Sequence, residues 1–599
     1  MASGNEDGTR GHLPSGLTSP AAGVCAWAGA VAGLASGVVL GLVILRQGRG
    51  MMEAQAPAHG GGLVGFGLFL VVAVATGATL GAVGRPEGLA ASGSGGLLFG
   101  LLAWIAWSLT ILPLVRGSGP TWSVDAAGES FPLLVGGLLH GGFTGLLLPG
   151  LVGRFTPTAS APVPAPARHR VVIVGGGFGG VAAARRFEEL VTRGLPVDVT
   201  LVSQSNYLLF TPMLAEVASS ALEPQHISAP VRAACPLTGF RRAALDAIDP
   251  ERGVVTVSCG PGLPAAELPY DHLVLALGAV PHFLDLPGLE EHSFTLKSLS
   301  DATRLRDHVL GSLERADVEA DPEERRRLLS FVVAGGGFAG TEMIAELFDL
   351  VHGVLRYYPG IGRGEPRFVL VHSRDRILPE LSAELAAYAL GKLRARGIEF
   401  ALSRRVLAAR DGAVLLDGDE ALPTRTLVWT AGSRPNPALA GLRAERNRSG
   451  ALLVDSALRL RGADRVWALG DCAEIPDPDR DGAPYPPTAQ HALREGKAVA
   501  DNIAAVIGGR EPAPFRFRTI GILVALGHRT AVAEIRGRRF SGLAAWLLWR
   551  TVYLGKLPGL EKKLRVALDW TIELAFPRDT VVTADPRSER PVVSRGRER

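Results

Sequence analysis

Two short glycine clusters carry the plainest chemistry in this sequence. HRVVIVGGGFGGVAAARRFEE sets Gly175, Gly177 and Gly180 between a β-branched run and an Ala-rich stretch, with Phe178 and Gly179 inside the cluster. LLSFVVAGGGFAGTEMIAEL repeats that order with Gly335, Gly337 and Gly340. In such a spacing the first glycine permits a tight turn and the second lets backbone reach a pyrophosphate. The third lets a helix pack on a strand, with the anion at the helix N-terminus. One cluster alone is a weak sign. Strand, cluster and helix in that order, twice in one chain, predict two dinucleotide-binding units; glycine-rich turns of an unrelated α/β fold are the competing reading.

Other residues extend the pattern. LVLALG ending at Gly278 and LVWTAG ending at Gly432 read as strands that return the chain between the two units. RVWALGD places the carboxylate of Asp471 at the end of a third apolar strand. Two dinucleotide units in one chain most naturally hold a flavin and a nicotinamide facing each other, so that a hydride passes between them. The four cysteines, Cys25, Cys235, Cys259 and Cys472, form no CxxC pair, which suggests neither a metal site nor a disulfide framework. Val181 to Thr200 holds no cysteine, which excludes thiol-disulfide reductase chemistry. Cys235 and Cys472 are expected to be small buried hydrophobes rather than nucleophiles.

From about residue 169 to 575 the chain resembles the two-dinucleotide flavoprotein reductases, and more narrowly the type II NADH dehydrogenases, single-chain NADH:quinone oxidoreductases. The likeness rests on NYLLFTPML from Asn206, LPGLEEHSFTLK from Leu286 to Lys297, GDCA from Gly470 to Ala473, and PPTAQ from Pro486 to Gln490 ahead of a helix. The resemblance implies FAD on Gly175, Gly177, Gly180 and Asp471, and NADH or NADPH on Gly335, Gly337 and Gly340. Phe178, Gly179, Gly278, Ala489 and Gly432 complete the expected cofactor-binding set. It makes Glu342 the carboxylate near the nicotinamide and Gln490 the glutamine beside the flavin at the quinone mouth. Their plainer readings are a first-turn acid favoured by the helix dipole and a polar residue capping a helix.

The chain departs from that pattern at three places. Ser203 stands where an acid would clasp the adenosine ribose of FAD. His372, within HSRDR, stands where NADH-specific members carry Glu; without an acid to repel a 2′-phosphate, NADPH becomes a second donor, and a solvated Arg-rich turn is the competing reading. Arg494 replaces a second glutamine one helical turn after Gln490, which changes the shape and charge of the acceptor site.

These residues need an α/β frame of tandem Rossmann-like units, expected as an FAD domain over 169–295 and 425–515 around a nicotinamide domain over 296–424. Composition adds a second body. Of 120 Asp, Glu, Lys and Arg residues in a chain of 599, only 11 lie in residues 1–150. Four uncharged apolar stretches, Ala21 to Leu45, Gly61 to Val83, Gly95 to Val115 and Phe131 to Val152, are each long enough to span a bilayer as helix. The first has no basic n-region and exceeds a signal-peptide core, so it reads as a retained span. Gly29, Gly33 and Gly37 would let helices approach closely.

The expectation is an all-α four-helix transmembrane domain over 1–155 and a Pro/Ala-rich linker over 156–168. Counting arginines places the flavoprotein body on the cytoplasmic side of a bacterial plasma membrane. His140, inside the fourth stretch, reads as an interhelical hydrogen bond or cavity lining ahead of a haem ligand or proton relay. Trp546, Trp549, Tyr553 and Trp570, interleaved with basic residues over 516–585, suggest a surface lying in the lipid headgroups, or a homodimer interface. Residues 586–599 read as a charged tail. A net charge of +4 without interleaved Arg and aromatic residues argues against a nucleic-acid partner.

The sum is a membrane-bound flavoprotein that oxidises NADH or NADPH and reduces a quinone without pumping protons. Its alternatives are a reductase with another donor or acceptor, such as sulfide or a small redox protein, and a flavin-binding sensor coupled to the membrane domain.

Overall fold

A computed structural model describes residues 22–47, 63–83, 89–115, 117, 131–155, 168–260 and 263–582. The expected linker up to residue 167 and the tail lie outside the described residues. The chain divides into two units, residues 1–164 with 559–561, and the remainder.

The first unit contains helices α1 (Ala22–Gln47), α2 (Leu63–Val83), α3 (Leu89–Trp104) and α4 (Phe131–Phe155). A π-helical turn, Ile105–Ile111, continues α3. Small residues set the spacing, as the glycine repeat predicts. A Cβ on Gly29 would sit 2.2 Å from the Gly77 carbonyl oxygen, and one on Gly96 would sit 1.9 Å from that of Gly141. The α1–α2 and α3–α4 pairs therefore touch backbone to backbone, and any side chain larger than hydrogen would force them apart. His140 joins the pairs: its Nδ1 lies 3.0 Å from the Ser36 hydroxyl and its Nε2 3.1 Å from that of Thr76. The interhelical hydrogen-bond reading of His140 is the one observed. Among the described residues one helical segment, Leu134–Val152, is long and apolar enough to cross a membrane; Cys25–Val39, Leu70–Ala82 and Gly95–Ile111 are shorter apolar stretches. Four complete spans therefore go beyond what the described helices show.

The second unit holds two parallel sheets. In the first, β1 (His169–Val174), β2 (Val197–Ser203), β3 (Gly239–Arg242), β4 (His272–Leu275) and β9 (Val466–Ala468) lie in the order β9-β4-β1-β2-β3. In the second, β5 (Ser330–Ala334), β6 (Arg367–His372), β7 (Glu399–Leu402) and β8 (Thr426–Trp429) lie in the order β7-β6-β5-β8. Strands β1, β4, β5 and β8 each carry at least four consecutive buried residues because helices cover both faces of a parallel sheet. A short antiparallel ribbon, Ala279–Pro281 against Ser433–Pro435, links the two sheets directly after β4 and β8.

Helices α5 (Phe178–Val191) and α6 (Leu214–Ala218) follow β1 and β2; α7 (Leu299–Val318) precedes β5, and α8 (Phe338–Val354) follows it. After β9 come α9 (Ala489–Ile507), an antiparallel sheet of β10 (Gly521–Ala525), β11 (Ala531–Ile535) and β12 (Arg538–Ser541), then α10 (Gly542–Lys556) and α11 (Leu560–Ala575). Trp546, Trp549 and Trp570 are buried in the same core as Phe331, Phe368 and Met343 of the second sheet and its helix. This corrects the expectation that these tryptophans lie among lipid headgroups. Each buries a large aromatic area more favourably in a packed core, and leucines take the outer face instead.

Candidate functional site

The first glycine cluster turns the chain from β1 into α5. Gly175 has φ +120°, and a Cβ there would lie 2.1 Å from the Ala276 carbonyl oxygen at the end of β4. Gly177 is the N-cap of α5; it offers no side-chain cap and faces open space. The first-turn N–H groups of α5 are thereby left for an external anion, whereas α7 closes its own N-terminus with the Ser298–Asp301 capping box. Gly180 lies against Gly175, since a Cβ would meet that carbonyl oxygen at 1.8 Å. The second cluster repeats this backbone: Gly335 has φ +119°, Gly337 is an uncapped N-cap facing open space, and a Cβ on Gly340 would lie 1.8 Å from the Gly335 carbonyl oxygen.

The residue ending the second strand of each unit lies beside the middle glycine of its loop. A Cβ on Gly176 would be 2.7 Å from Ser203 Oγ, and one on Gly336 would be 2.7 Å from His372 Cδ2. The Gly336 N–H donates to His372 Nδ1 at 3.1 Å, while His372 Nε2 is buried without a partner. Burial, helped by the Arg374 charge, holds this imidazole below its usual pKa. His372 is therefore neutral near pH 7, with its proton on Nε2.

Beyond β9, Gly470 at φ +69° begins the turn that presents Asp471. Its N–H donates to Glu495 Oε2 at 2.8 Å. Burial, with the nearby Asp471 charge, pushes the Glu495 carboxyl up to about 7, against the pull of that hydrogen bond. Burial also raises Asp471 above the ordinary carboxylate range, opposed by Lys297. Cys472 is fully buried with its thiol pushed up to about 11, and burial pushes Cys235 up to about 12. Neither is a thiolate at neutral pH, as a packing role requires. Gly278 at φ +66° faces open space, whereas Gly432 packs against the His282 carbonyl oxygen inside the linking ribbon.

Glu342 and Gln490 meet on one strand. Gln490 Nε2 donates to the Gly521 carbonyl at 2.9 Å, and the Ala525 N–H donates to Glu342 Oε1 at 3.0 Å. These are the two ends of β10, so one strand ties α9, which follows β9 of the first sheet, to α8, which follows β5 of the second. Burial pushes the Glu342 carboxyl up to about 8 despite the Ala525 hydrogen bond. Ala489 opens α9 after Thr488, whose hydroxyl accepts from the His491 N–H. α9 packs against the first glycine loop so closely that a Cβ on Gly496 would lie 2.2 Å from the Gly179 carbonyl oxygen. Among the described residues, no group of three or more His, Cys, Asp or Glu could hold a metal ion.

Residues 169–496 match the family model of the pyridine nucleotide-disulphide oxidoreductases, and residues 520–579 match that of the NDH2 C-terminal domain. The chain is 31% identical over 441 residues to the type II NADH:quinone oxidoreductase of Mycobacterium tuberculosis, covering 70% of this chain and 90% of that protein. The chain belongs to the type II NADH:quinone oxidoreductases. It is also 32% identical over 411 residues to the demethylphylloquinone reductase of Synechocystis, covering 67% of this chain and 96% of that one. Its fold is similar to NDH2 from Plasmodium falciparum in complex with NADH, with TM-score 0.64, 18% identity, and coverage of 69% of this chain and 100% of the other.

In this family member one set of residues escapes a reading by motif. Glu342, Glu346 and Asp349 stand at i, i+4 and i+7 on α8, and all three bond the C-terminal region. Glu346 Oε2 pairs with Arg578 at 2.9 Å and accepts from Ser219 Oγ at 2.7 Å. Asp349 accepts the His528 N–H at 2.7 Å and pairs with Arg396. Arg578 also pairs with Glu573 at 2.8 Å, and Trp570 Nε1 donates to Glu216 Oε1 at 3.1 Å. The acidic stripe was the available signal, since its spacing puts three carboxylates on one face of an otherwise apolar helix. Its cationic partner lies more than 200 residues away in sequence.

Proposed function

We propose that this protein oxidises NADH, and NADPH as a second donor, and passes the electrons through FAD to a membrane quinone without pumping protons. The observation that carries this reading is β10, held at one end by Gln490 and at the other by Glu342, between two glycine loops of matching geometry. The family supports it. FAD, when bound, accepts hydride from the nicotinamide and releases two electrons to the quinone.

The chain's own residues supply position and charge. The uncapped start of α5, with Gly175, Gly177, Phe178, Gly179 and Gly180, fits the flavin pyrophosphate; Ser203 faces the adenosine ribose, and Asp471 at its turn holds the flavin's ribityl region. Gly278, Ala489 and Gln490 line the same site. Gly335, Gly337 and Gly340 cradle the nicotinamide dinucleotide, with Gly432 setting the ribbon beside them. Glu342, raised to about 8, is neutral at pH 7 and places no buried charge beside the expected nicotinamide site. His372 carries no negative charge where an acid would meet the adenosine ribose, with exposed Arg374 next to it, and this supports NADPH as a second donor.

The membrane reading is four spans, a linker, and a cytoplasmic body in a bacterial plasma membrane. It is supported by large apolar side chains left outward on all four helices, among them Trp27, Val71, Leu102 and Phe143. Leu543, Leu568, Ile572 and Phe576 of the C-terminal region are exposed and support docking on the bilayer surface.

The test uses the full-length protein in detergent under anaerobic conditions. Its flavin absorbance should bleach on adding NADH and recover on adding a short-chain quinone. A protein that purifies without flavin, or whose flavin does not bleach, overturns the reading.

A further inference from the structure

We propose that Arg494 makes the acceptor side of this protein selective for a quinone that bears an ionised acidic substituent. The proposal rests on the quinone-reductase reading above. Arg494 follows Gln490 by one turn on α9, the helix whose Gly496 abuts the Gly179 carbonyl of the flavin loop. Its guanidinium lies 4.1 Å over the Phe517 ring, and Nη1 donates to the Gln490 carbonyl at 2.9 Å.

Neither contact neutralises it. Among the described residues no carboxylate pairs with Arg494, and none pairs with Lys556 at the end of α10. Burial, and then the Arg494 charge, hold the Lys556 ammonium below its usual range. Burial alone lowers Arg494, and Arg494 in turn helps to lower His491. Lys556 Nζ lies 5.5 Å from the Tyr553 ring.

A half-buried cation without a counter-charge is costly, and a ligand that supplies the charge gains what the protein lacks. The guanidinium, held on the Phe517 ring, offers fixed donors to an oxyanion in a way that glutamine cannot. A lipid phosphate would supply the same charge; the place of Arg494 one turn after Gln490, whose side chain is bonded to β10, makes the acceptor the favoured source of the anion. The electron balance is that of the main reaction. NADH gives up two electrons and the hydrogen of its nicotinamide C–H bond, solvent gives one proton, two O–H bonds form on the quinone, and the acidic substituent stays ionised.

The experiment compares kcat/KM for a naphthoquinone sulfonate with that for menadione, a neutral naphthoquinone, in the full-length protein, Arg494→Gln, Arg494→Lys and Lys556→Gln. The ratio of sulfonate to menadione should fall about tenfold in Arg494→Gln, the loss expected for one charge-assisted hydrogen bond. It should fall less in Lys556→Gln and be largely retained in Arg494→Lys. Equal ratios in all four proteins overturn the proposal. So does an effect that is the same for both acceptors and appears only when vesicles of anionic lipid replace zwitterionic ones, which would assign Arg494 to a headgroup phosphate. Flavin bleaching by NADH is read in the same samples. If it fails, or if neither quinone restores the flavin colour, the quinone-reductase reading falls; if both succeed and the ratios do not move, only the Arg494 proposal does.

Discussion

The two dinucleotide units share a backbone and differ in what surrounds it. Their first glycines sit at φ +120° and +119°, and a Cβ on either third glycine would lie 1.8 Å from a carbonyl oxygen. The differences lie at the strand end, Ser203 against His372, and on the helix. α5 carries on its outer side the half-exposed Arg186, paired with Glu189 and Asp501, whereas α8 carries three acids bonded into the C-terminal region. The loop backbone is thus repeated because it is set by a few adjacent residues. Donor preference and attachment are free to diverge.

Placing the same substitution in both loops breaks the equivalence at its root. Gly175→Val and Gly335→Val each add a side chain where φ is positive and a backbone or side-chain oxygen lies within 2.5 Å of the new Cβ. Gly175→Val should purify with flavin occupancy reduced by more than about tenfold, given strain of roughly 1–3 kcal/mol before any clash. Gly335→Val should keep its yellow colour yet bleach with NADH at least about tenfold more slowly, which stopped-flow absorbance would record. Loss of flavin in both would contradict separate assignments of the loops.

The attachments differ next in size. Arg578→Ala leaves Glu346 and Glu573 buried with one partner fewer, so unfolding should become easier by about 3–5 kcal/mol. Arg186→Ala removes pairs with solvent on one side and should cost under about 1 kcal/mol. Thermal melts of the two variants side by side measure the difference.

The strand ends offer a smaller contrast. His372→Glu places a carboxylate where it bonds a ribose hydroxyl and repels a 2′-phosphate, and the NADH to NADPH ratio of kcat/KM should rise by about tenfold. An unchanged ratio would move donor choice away from His372.

The smallest effect concerns pH. The Glu342 carboxyl is raised to about 8 in the folded protein. The unfolded chain therefore releases this proton first, and the stability that the protonated carboxyl contributes is complete below about pH 4.5 and is lost as pH rises through 8. Glu342→Gln cannot ionise and can still accept the Ala525 N–H. Its melting temperature should match the parent at pH 5 and exceed it by a degree or two at pH 8.5.

Both glycine loops were legible in the amino-acid order, because each is a strand, a turn and a helix start within about a dozen residues and its steric logic is local. The four apolar stretches and the close approach at Gly29 and Gly33 were legible for the same reason: length, charge and small-residue spacing act within one helix. The tryptophans of α10 and α11 were misplaced, since an aromatic beside a basic residue fits a lipid surface or a core equally well until the partner surface exists. Glu342 and Gln490 could be named singly, but their meeting on β10 could not, and neither could the pairing of the α8 acids with Arg578, nor that of Arg494 with Phe517. Those contacts join segments tens to hundreds of residues apart, and their energies depend on burial that only the packed chain creates. The order of residues dictated the two glycine loops; the tertiary structure decided which charges are buried and which are paired.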